Sequence, residues 1–218
     1  MSQPRPDRDW LDRLAHDLRG PLAPLQTASY LLQRDDIDDA RRRELLATVE
    51  RQVQRLAAML EELGDWVRAG RGRLLGEPEH CEPVMLLDYA LVGSGLSGTP
   101  VDDDGAIAVV EGDPRRLTQL LRTLLDFARA NDVVPRPSLR SDGARVVIRM
   151  ALPGVAVERV ADLVEAQQRA PFDEGLGLRL LLAREIARAH GGELSAGIED
   201  GALVFRCELP LVPGATQG

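Results

Sequence analysis

The sequence predicts an α+β protein: an N-terminal antiparallel helical hairpin that dimerises into a four-helix bundle, followed by an α/β-sandwich domain. Three observations predict this. The first 70 residues carry two uninterrupted heptad repeats. From residue 83 onward, segments of helical period alternate with segments of strand period. Aromatic residues make up only 3% of the 218 residues, so the core rests on Leu, Val and Ala, which favours helices over an all-β sandwich.

The first helix is expected from Asp9 to about Arg34. Its apolar seam reads Leu11, Leu14, Leu18, Pro21, Leu25, Ala28 and Leu32, a period of 3.5. After the polar break at residues 34–40, a second seam reads Leu46, Val49, Val53, Leu56, Leu60, Leu63 and Val67, widened by Met59 and Trp66. Gly70-Arg71-Gly72 ends it. A short polar loop between two such helices makes an antiparallel hairpin. One hairpin cannot cover stripes this wide, so the expectation is a homodimer. Residues 1–70 form this domain, 71–82 a linker and 83–218 the second domain.

In the second domain, 83–91 reads as a short helix, 93–105 as loop and 107–111 as a strand. A strongly amphipathic helix is expected over 113–130, with Asp113 or Gly112 at its cap and Pro114 in its first turn. Residues 145–151 alternate as a strand, and 156–169 read as a helix. Another helix covers 175–190 and stops at Gly191-Gly192. A hairpin over 193–198 and 202–209 turns at Glu199-Asp200-Gly201. The result is a mixed sheet with helices on one face.

Composition excludes several functions. The net charge of −8 disfavours a nucleic-acid partner, because no long basic face offsets it. Cys81 and Cys207 fit no metal-ligand spacing and read as two buried or half-buried thiols in a reducing cytosol. No apolar run reaches transmembrane length, and the N-terminus lacks a signal peptide's apolar stretch. The expectation is a cytoplasmic protein with no membrane partner, no metal, and no room for a sensor domain before His16.

His16 stands two residues from both Leu14 and Leu18, about 200° around the helix from each. It therefore points away from the seam. Pro21 lies inside the same helix, where proline costs roughly 3 kcal/mol unless compensated, and is expected to bend it. His16-Asp17-Leu18-Arg19-Gly20-Pro21-Leu22 resembles the phospho-acceptor box of sensor histidine kinases, His-Asp/Glu-Leu-Arg-x-Pro-Leu, in six of seven positions. The resemblance implies a dimerisation and histidine-phosphotransfer bundle followed by a Bergerat-type ATPase domain. It makes His16 the phospho-acceptor and Asp17 the residue that orients or activates it. Arg13, Arg19, Gly20 and Pro21 are the implied partner-docking or structural positions. A neutral imidazole nitrogen is a good nucleophile near pH 7, and an acidic neighbour on the other ring nitrogen fixes the tautomer. At Gly20, one turn beyond the histidine, many bifunctional relatives carry Thr or Asn. Glycine has no side chain to position a water for dephosphorylating a partner.

The second domain resembles the histidine kinase ATPase domain in its order of elements and in 113–121, 175–178 and 189–194. His190 is expected to be a helix-terminal residue favoured by the helix dipole, not a catalytic one. The nucleotide-binding positions depart from the family pattern. Its Asn-Leu-Leu-x-Asn-Ala box is here Thr123-Leu124-Leu125-Asp126-Phe127-Ala128. Phe127 thus stands at the Mg²⁺ position and offers no oxygen. Asp126 is one position off and points elsewhere. The Asp-x-Gly-x-Gly box is lost at Met150–Val155, where only Gly154 remains. Gly175-Leu176-Gly177-Leu178 alone reads more readily as close packing than as a phosphate site. This is a degenerate ATP site at Thr123, Phe127, Gly154, Gly175 and Gly177, with no cofactor expected.

The resemblance and these departures together suggest a histidine phosphotransferase, a pseudokinase-like relay. It would pass phosphoryl groups through His16 to or from response-regulator receiver domains, with a hybrid histidine kinase as a further candidate partner. Two alternatives stay open: a sensor-less histidine kinase with a divergent ATP site, and a non-enzymatic regulator that docks on kinase or receiver domains.

Overall fold

The computed structural model describes residues 8–105, 108–168 and 175–213, with side chains from residue 14 onward. The chain divides into two compact units, residues 1–66 and 67–218.

In the first unit, α1 (Arg8–Leu32) and α2 (Asp39–Gly70) are the two heptad helices. Asp38 accepts a hydrogen bond from the Arg41 backbone N–H at 2.7 Å, which caps the start of α2. α1 runs on through Pro21 and Pro24. Proline lacks an N–H, so the carbonyls of Asp17 and Gly20 lose their usual helical partners. Leu14, Leu18, Leu25 and Leu32 are half-buried, and Pro21 and Ala28 are buried, as the seam requires. On α2 the seam splits. Leu45 and Met59 are buried, while Leu46, Val53, Leu60 and Val67, seven residues apart, are exposed. A single chain thus leaves an apolar stripe facing solvent along α2.

The second unit is a sandwich of three helices and a sheet. Its elements are β1 (Glu79–Cys81), α3 (Pro83–Gly93), β2 (Asp102–Asp103), β3 (Val110–Gly112), α4 (Pro114–Ala130), β4 (Arg136–Ser141), β5 (Arg145–Leu152), α5 (Arg179–Ala189), β6 (Glu193–Glu199) and β7 (Ala202–Pro210). The main sheet has the order β2-β4-β5-β7-β6, and β1 pairs with β3 in a separate two-stranded sheet. Only the β2–β4 pair is parallel; the others in the main sheet are antiparallel. The alternation in β5 puts Val146, Ile148, Met150 and Leu152 on one face. Register sets them opposite Leu209, Cys207, Phe205 and Leu203 of β7. These eight residues join the buried core with Leu117, Leu120, Leu121, Leu124, Leu125 and Ala128 of α4, which recur at helical spacing. The β6–β7 turn places Asp200 at φ 50° and Gly201 at φ 76°. Two consecutive positive φ values suit a tight two-residue hairpin.

Several expected elements differ. The 71–82 linker contains strand β1, and Leu74 is buried in the core. The loop expected over 93–105 includes the short β2. The strand expected at 107–111 is seen as Val110–Gly112, with Ile107 outside the described residues. Strand β4 lies in a stretch where no element is expected, and it carries Pro137, a residue uncommon inside a sheet. The helix expected over 156–169 is only a 3-10 turn, Ala161–Leu163. The Gln168 amide accounts for this: it donates to the carbonyls of Asp162, Leu163 and Ala166 at 2.9, 3.1 and 2.8 Å. Val155, Val157, Val160 and Val164 also lower the local helical preference. Helix α5 starts at Arg179 rather than 175, because Gly177 takes φ +74°. Both cysteines are free and buried, as expected.

Met150 is fully buried between the sheet and the helices. Met150→Ala should therefore cost about 2–5 kcal/mol of stability, measured by urea denaturation.

Candidate functional site

The His16 side chain is 85% exposed and its Nδ1 lies 3.2 Å from Asp17 Oδ1. In the tautomer with the proton on Nδ1, this contact is an N–H donating to the Asp17 carboxylate, and Nε2 is the nitrogen left to solvent. Helix α1 supplies this arrangement, since burying Leu14, Leu18 and Pro21 turns His16 outward.

Arg19 and Gly20 are also exposed. They stand three and four residues beyond His16 and so share its helix face. A Cβ at Gly20 would meet nothing within 4 Å. Pro21 is buried beneath this face. The side chain of Arg13 lies outside the described residues.

The residues matched to a nucleotide site are arranged differently. Phe127 is only 4% exposed, and its ring packs edge-to-face on Phe205 with centroids 5.2 Å apart. Thr123 is buried, and its hydroxyl donates to the Gln119 carbonyl of its own helix at 3.0 Å. Asp126 does point elsewhere: it takes an ion pair from Arg179 at 2.5 Å, tying α4 to the start of α5. Gly154 takes φ +82° in the turn after β5, with open space around it. Gly177 sits against the backbone of Gln168, whose N–H donates to the Gly177 carbonyl at 2.9 Å. A phenyl ring in the core and a backbone-packed glycine do not fit a Mg²⁺–triphosphate group. Among the described residues no cluster of three His, Cys, Asp or Glu side chains could hold a metal ion.

Asp113 forms a node that sequence reasoning saw only as a helix cap. Its carboxylate accepts from the backbone N–H of Arg115 at 2.9 Å, Arg116 at 3.2 Å and Gly76 at 2.8 Å. Burial pushes its pKa up, but the N–H groups of Gly76, Arg116 and Arg115 outweigh burial and hold it below the usual carboxylate range. The Asp113 N–H donates to Nε2 of His190 at 2.9 Å, and His190 Nδ1–H donates to the Ile186 carbonyl at 2.7 Å. His190 thus stands at the end of α5, as expected, but it is buried and its Nε2 acts as an acceptor, so the hydrogen bonds rather than the helix dipole account for its placement. Burial lowers its pKa, partly opposed by the Ile186 bond and the Asp113 charge. Gly112 is required beside it, since a Cβ there would collide with the imidazole.

Residues 7–72 match the His Kinase A (phospho-acceptor) domain. The sensor protein KdpD of Mycobacterium tuberculosis is 31% identical over 214 residues, a match covering 87% of this chain and 24% of KdpD. In structure, the chain resembles histidine kinase AdeS of Acinetobacter baumannii, with a TM-score of 0.65 at 20% identity, covering 90% of this chain and 98% of that one. It also resembles histidine kinase ThkA, crystallised in complex with the response regulator protein TrrA, with a TM-score of 0.72 at 18% identity, covering 94% and 62%. The chain therefore has a histidine-kinase-like core. It spans about a quarter of the length of KdpD and of several other curated relatives it matches. Those relatives include proteins described as sensor proteins and as sensor histidine kinases. Among the described residues no helix is long and apolar enough to cross a membrane.

Two predictions follow from these sites. Gly20→Ala should stabilise the hairpin by about 0.5–1 kcal/mol, since the position is helical and unobstructed, measured by thermal melting. His190 binds its proton less readily folded than unfolded, so the stability it contributes is complete above its ordinary pKa near 6.5 and declines as pH falls below that value. Urea midpoints between pH 7.5 and 5 should fall less steeply for His190→Asn than for the native chain.

Proposed function

We propose that this chain carries a phosphoryl group on Nε2 of His16 and exchanges it with the aspartate of a response-regulator receiver domain. The observation that carries the reading is the exposed imidazole whose Nδ1–H is engaged by Asp17. A receiver aspartyl phosphate approaches the free Nε2 in line. The P–O bond to the aspartate breaks as the Nε2–P bond forms, and the carboxylate departs with the electron pair. Asp17 stabilises the positive charge that develops on the ring. The reverse step returns the group to a second receiver. Exposure of the histidine suits this exchange, because the receiver must reach it.

Two routes could load His16, and different observations favour each. The residues of the second unit favour loading by a partner protein. Phe127 packs in the core, Gly177 is occupied by backbone, and neither Thr123 nor Asp126 is available in place of the missing metal ligand. Kinship with sensor proteins favours loading from ATP by a divergent kinase domain, and on kinship alone this second route is the stronger. The packing of Phe127, Gly177, Thr123 and Asp126 supports our reading of the chain as a phosphorelay component loaded by a partner.

The exposed stripe Leu46, Val53, Leu60 and Val67 fits a homodimer, in which a second copy covers it to complete a four-helix bundle.

Phosphorylated receiver domain mixed with this protein should label it, and His16→Ala should abolish the label. Incubation with radiolabelled ATP and Mg²⁺ should leave it unlabelled. Labelling of His16 from ATP alone would establish the kinase route instead. Replacing Leu46 and Leu60 together with Glu should weaken dimerisation by roughly tenfold or more, because each buries a charge at the seam, measured by sedimentation equilibrium.

A further inference from the structure

The segment before the glycine box is fastened to it from several directions. The Gln168 N–H donates to the Gly177 carbonyl at 2.9 Å. The Gln167 side-chain amide donates to the Leu176 carbonyl. The Gln168 side-chain amide closes its own loop onto the carbonyls of Asp162, Leu163 and Ala166. Leu163 and Val164 are anchored in the core. Glu165 pairs with Arg184 of α5 at 3.1 Å, and the Arg184 side chain is only 19% exposed. Gly177 is needed for this contact in two ways: its φ is +74°, and a Cβ there would collide with the Gln168 carbonyl oxygen and the Gln167 side chain.

We propose that Gln167 and Gln168 hold residues 161–168 as an intrachain plug on the Leu176-Gly177 backbone, closing the glycine box of this domain without a nucleotide. This rests on the reading that the chain does not use ATP, and it supplies a physical agent for it. In an open glycine box, backbone groups are free to turn toward a phosphate. Here the carbonyls of Leu176 and Gly177 tether the two glutamines, and the Gln168 backbone lies against the Gly177 Cα, where a phosphate would have to approach the backbone N–H groups. A phosphate-bearing ligand reaching this backbone would have to displace Gln167 and Gln168 first. The plug has its own support, since Leu163, Val164 and the Glu165–Arg184 pair hold it independently of any ligand. It also accounts for the replacement of the expected helix over 156–169 by a single 3-10 turn. The Gln168 amide satisfies carbonyls that a helix would otherwise pair.

The test is hydrogen–deuterium exchange on the full chain without nucleotide, comparing the native protein with Gln167→Ala/Gln168→Ala. Exchange of the amides in 162–168 and 176–178 should rise by roughly tenfold or more in the variant, because the Gln167 side-chain bond to the Leu176 carbonyl and the Gln168 side-chain bonds that close 162–168 are lost together. The amides of α4 and β5 should stay as protected as before. Gln168→Glu keeps the shape but removes the two side-chain donors, and it should loosen residues 162–168 in the same direction. A thermal melt checks that each variant is folded. Unchanged exchange in these segments in both folded variants would overturn the plug. Labelling of His16 from ATP by the native protein would instead overturn the reading beneath it, and exchange would still decide the plug separately.

Discussion

The 3.5-residue repeat of α1 is the constraint from which the phospho-acceptor arrangement follows. Once Leu14, Leu18 and Pro21 turn toward the hairpin interior, His16 can only face solvent, and Asp17 stands beside it with its carboxylate in reach. A one-residue shift of the seam would rotate the imidazole by about 100° and bring it toward the interior. The same repeat on α2 has a second consequence. It provides more apolar surface than α1 can cover, and Leu46, Val53, Leu60 and Val67 remain on the outside. The exposure of His16 and the exposed apolar stripe of α2 thus arise from one periodicity.

The second unit depends on a different device. Asp113 gathers backbone N–H groups from the start of α4 and from Gly76, while its own N–H is received by His190 at the end of α5. One carboxylate and one neutral imidazole therefore lock the approach to β1, the start of α4 and the end of α5 together. None of these groups is available for chemistry. The pattern repeats at the positions where a nucleotide site would lie: Asp126 is paired with Arg179, Thr123 with its own helix, and Phe127 with Phe205. The side chains there are engaged in holding the sandwich together. In the hairpin, by contrast, the His16 imidazole stands in the open.

Local signals made much of this legible in the sequence. The heptads, the Asp113-Pro114 cap, the alternation in β5 and the Asp200-Gly201 turn each depend on residues close in the chain, and each element appears where its signal lies. His16 and Asp17 were legible for the same reason, because periodicity and adjacency are local. What failed was set by distant partners. β1 is a strand because it pairs with β3 about thirty residues on, and β4 holds a proline within a sheet because β5 lies beside it. The helical reading of 156–169 failed because Gln168 turns back on its own segment and onto Gly177, a contact with no periodic trace. The neutral state of His190 was also hidden, since its acceptor role depends on an N–H 77 positions away.

The central claim is that His16 reacts through Nε2 while Nδ1–H remains bonded to Asp17. The most direct measurement is phosphorus and nitrogen NMR on the protein with isotope-labelled histidine, after phosphorylation by a loaded receiver domain. The account predicts a phosphorus-coupled Nε2 resonance on His16, with His80 and His190 unchanged. Phosphorus coupled to Nδ1 of His16, or to either of the other two histidines, would contradict it.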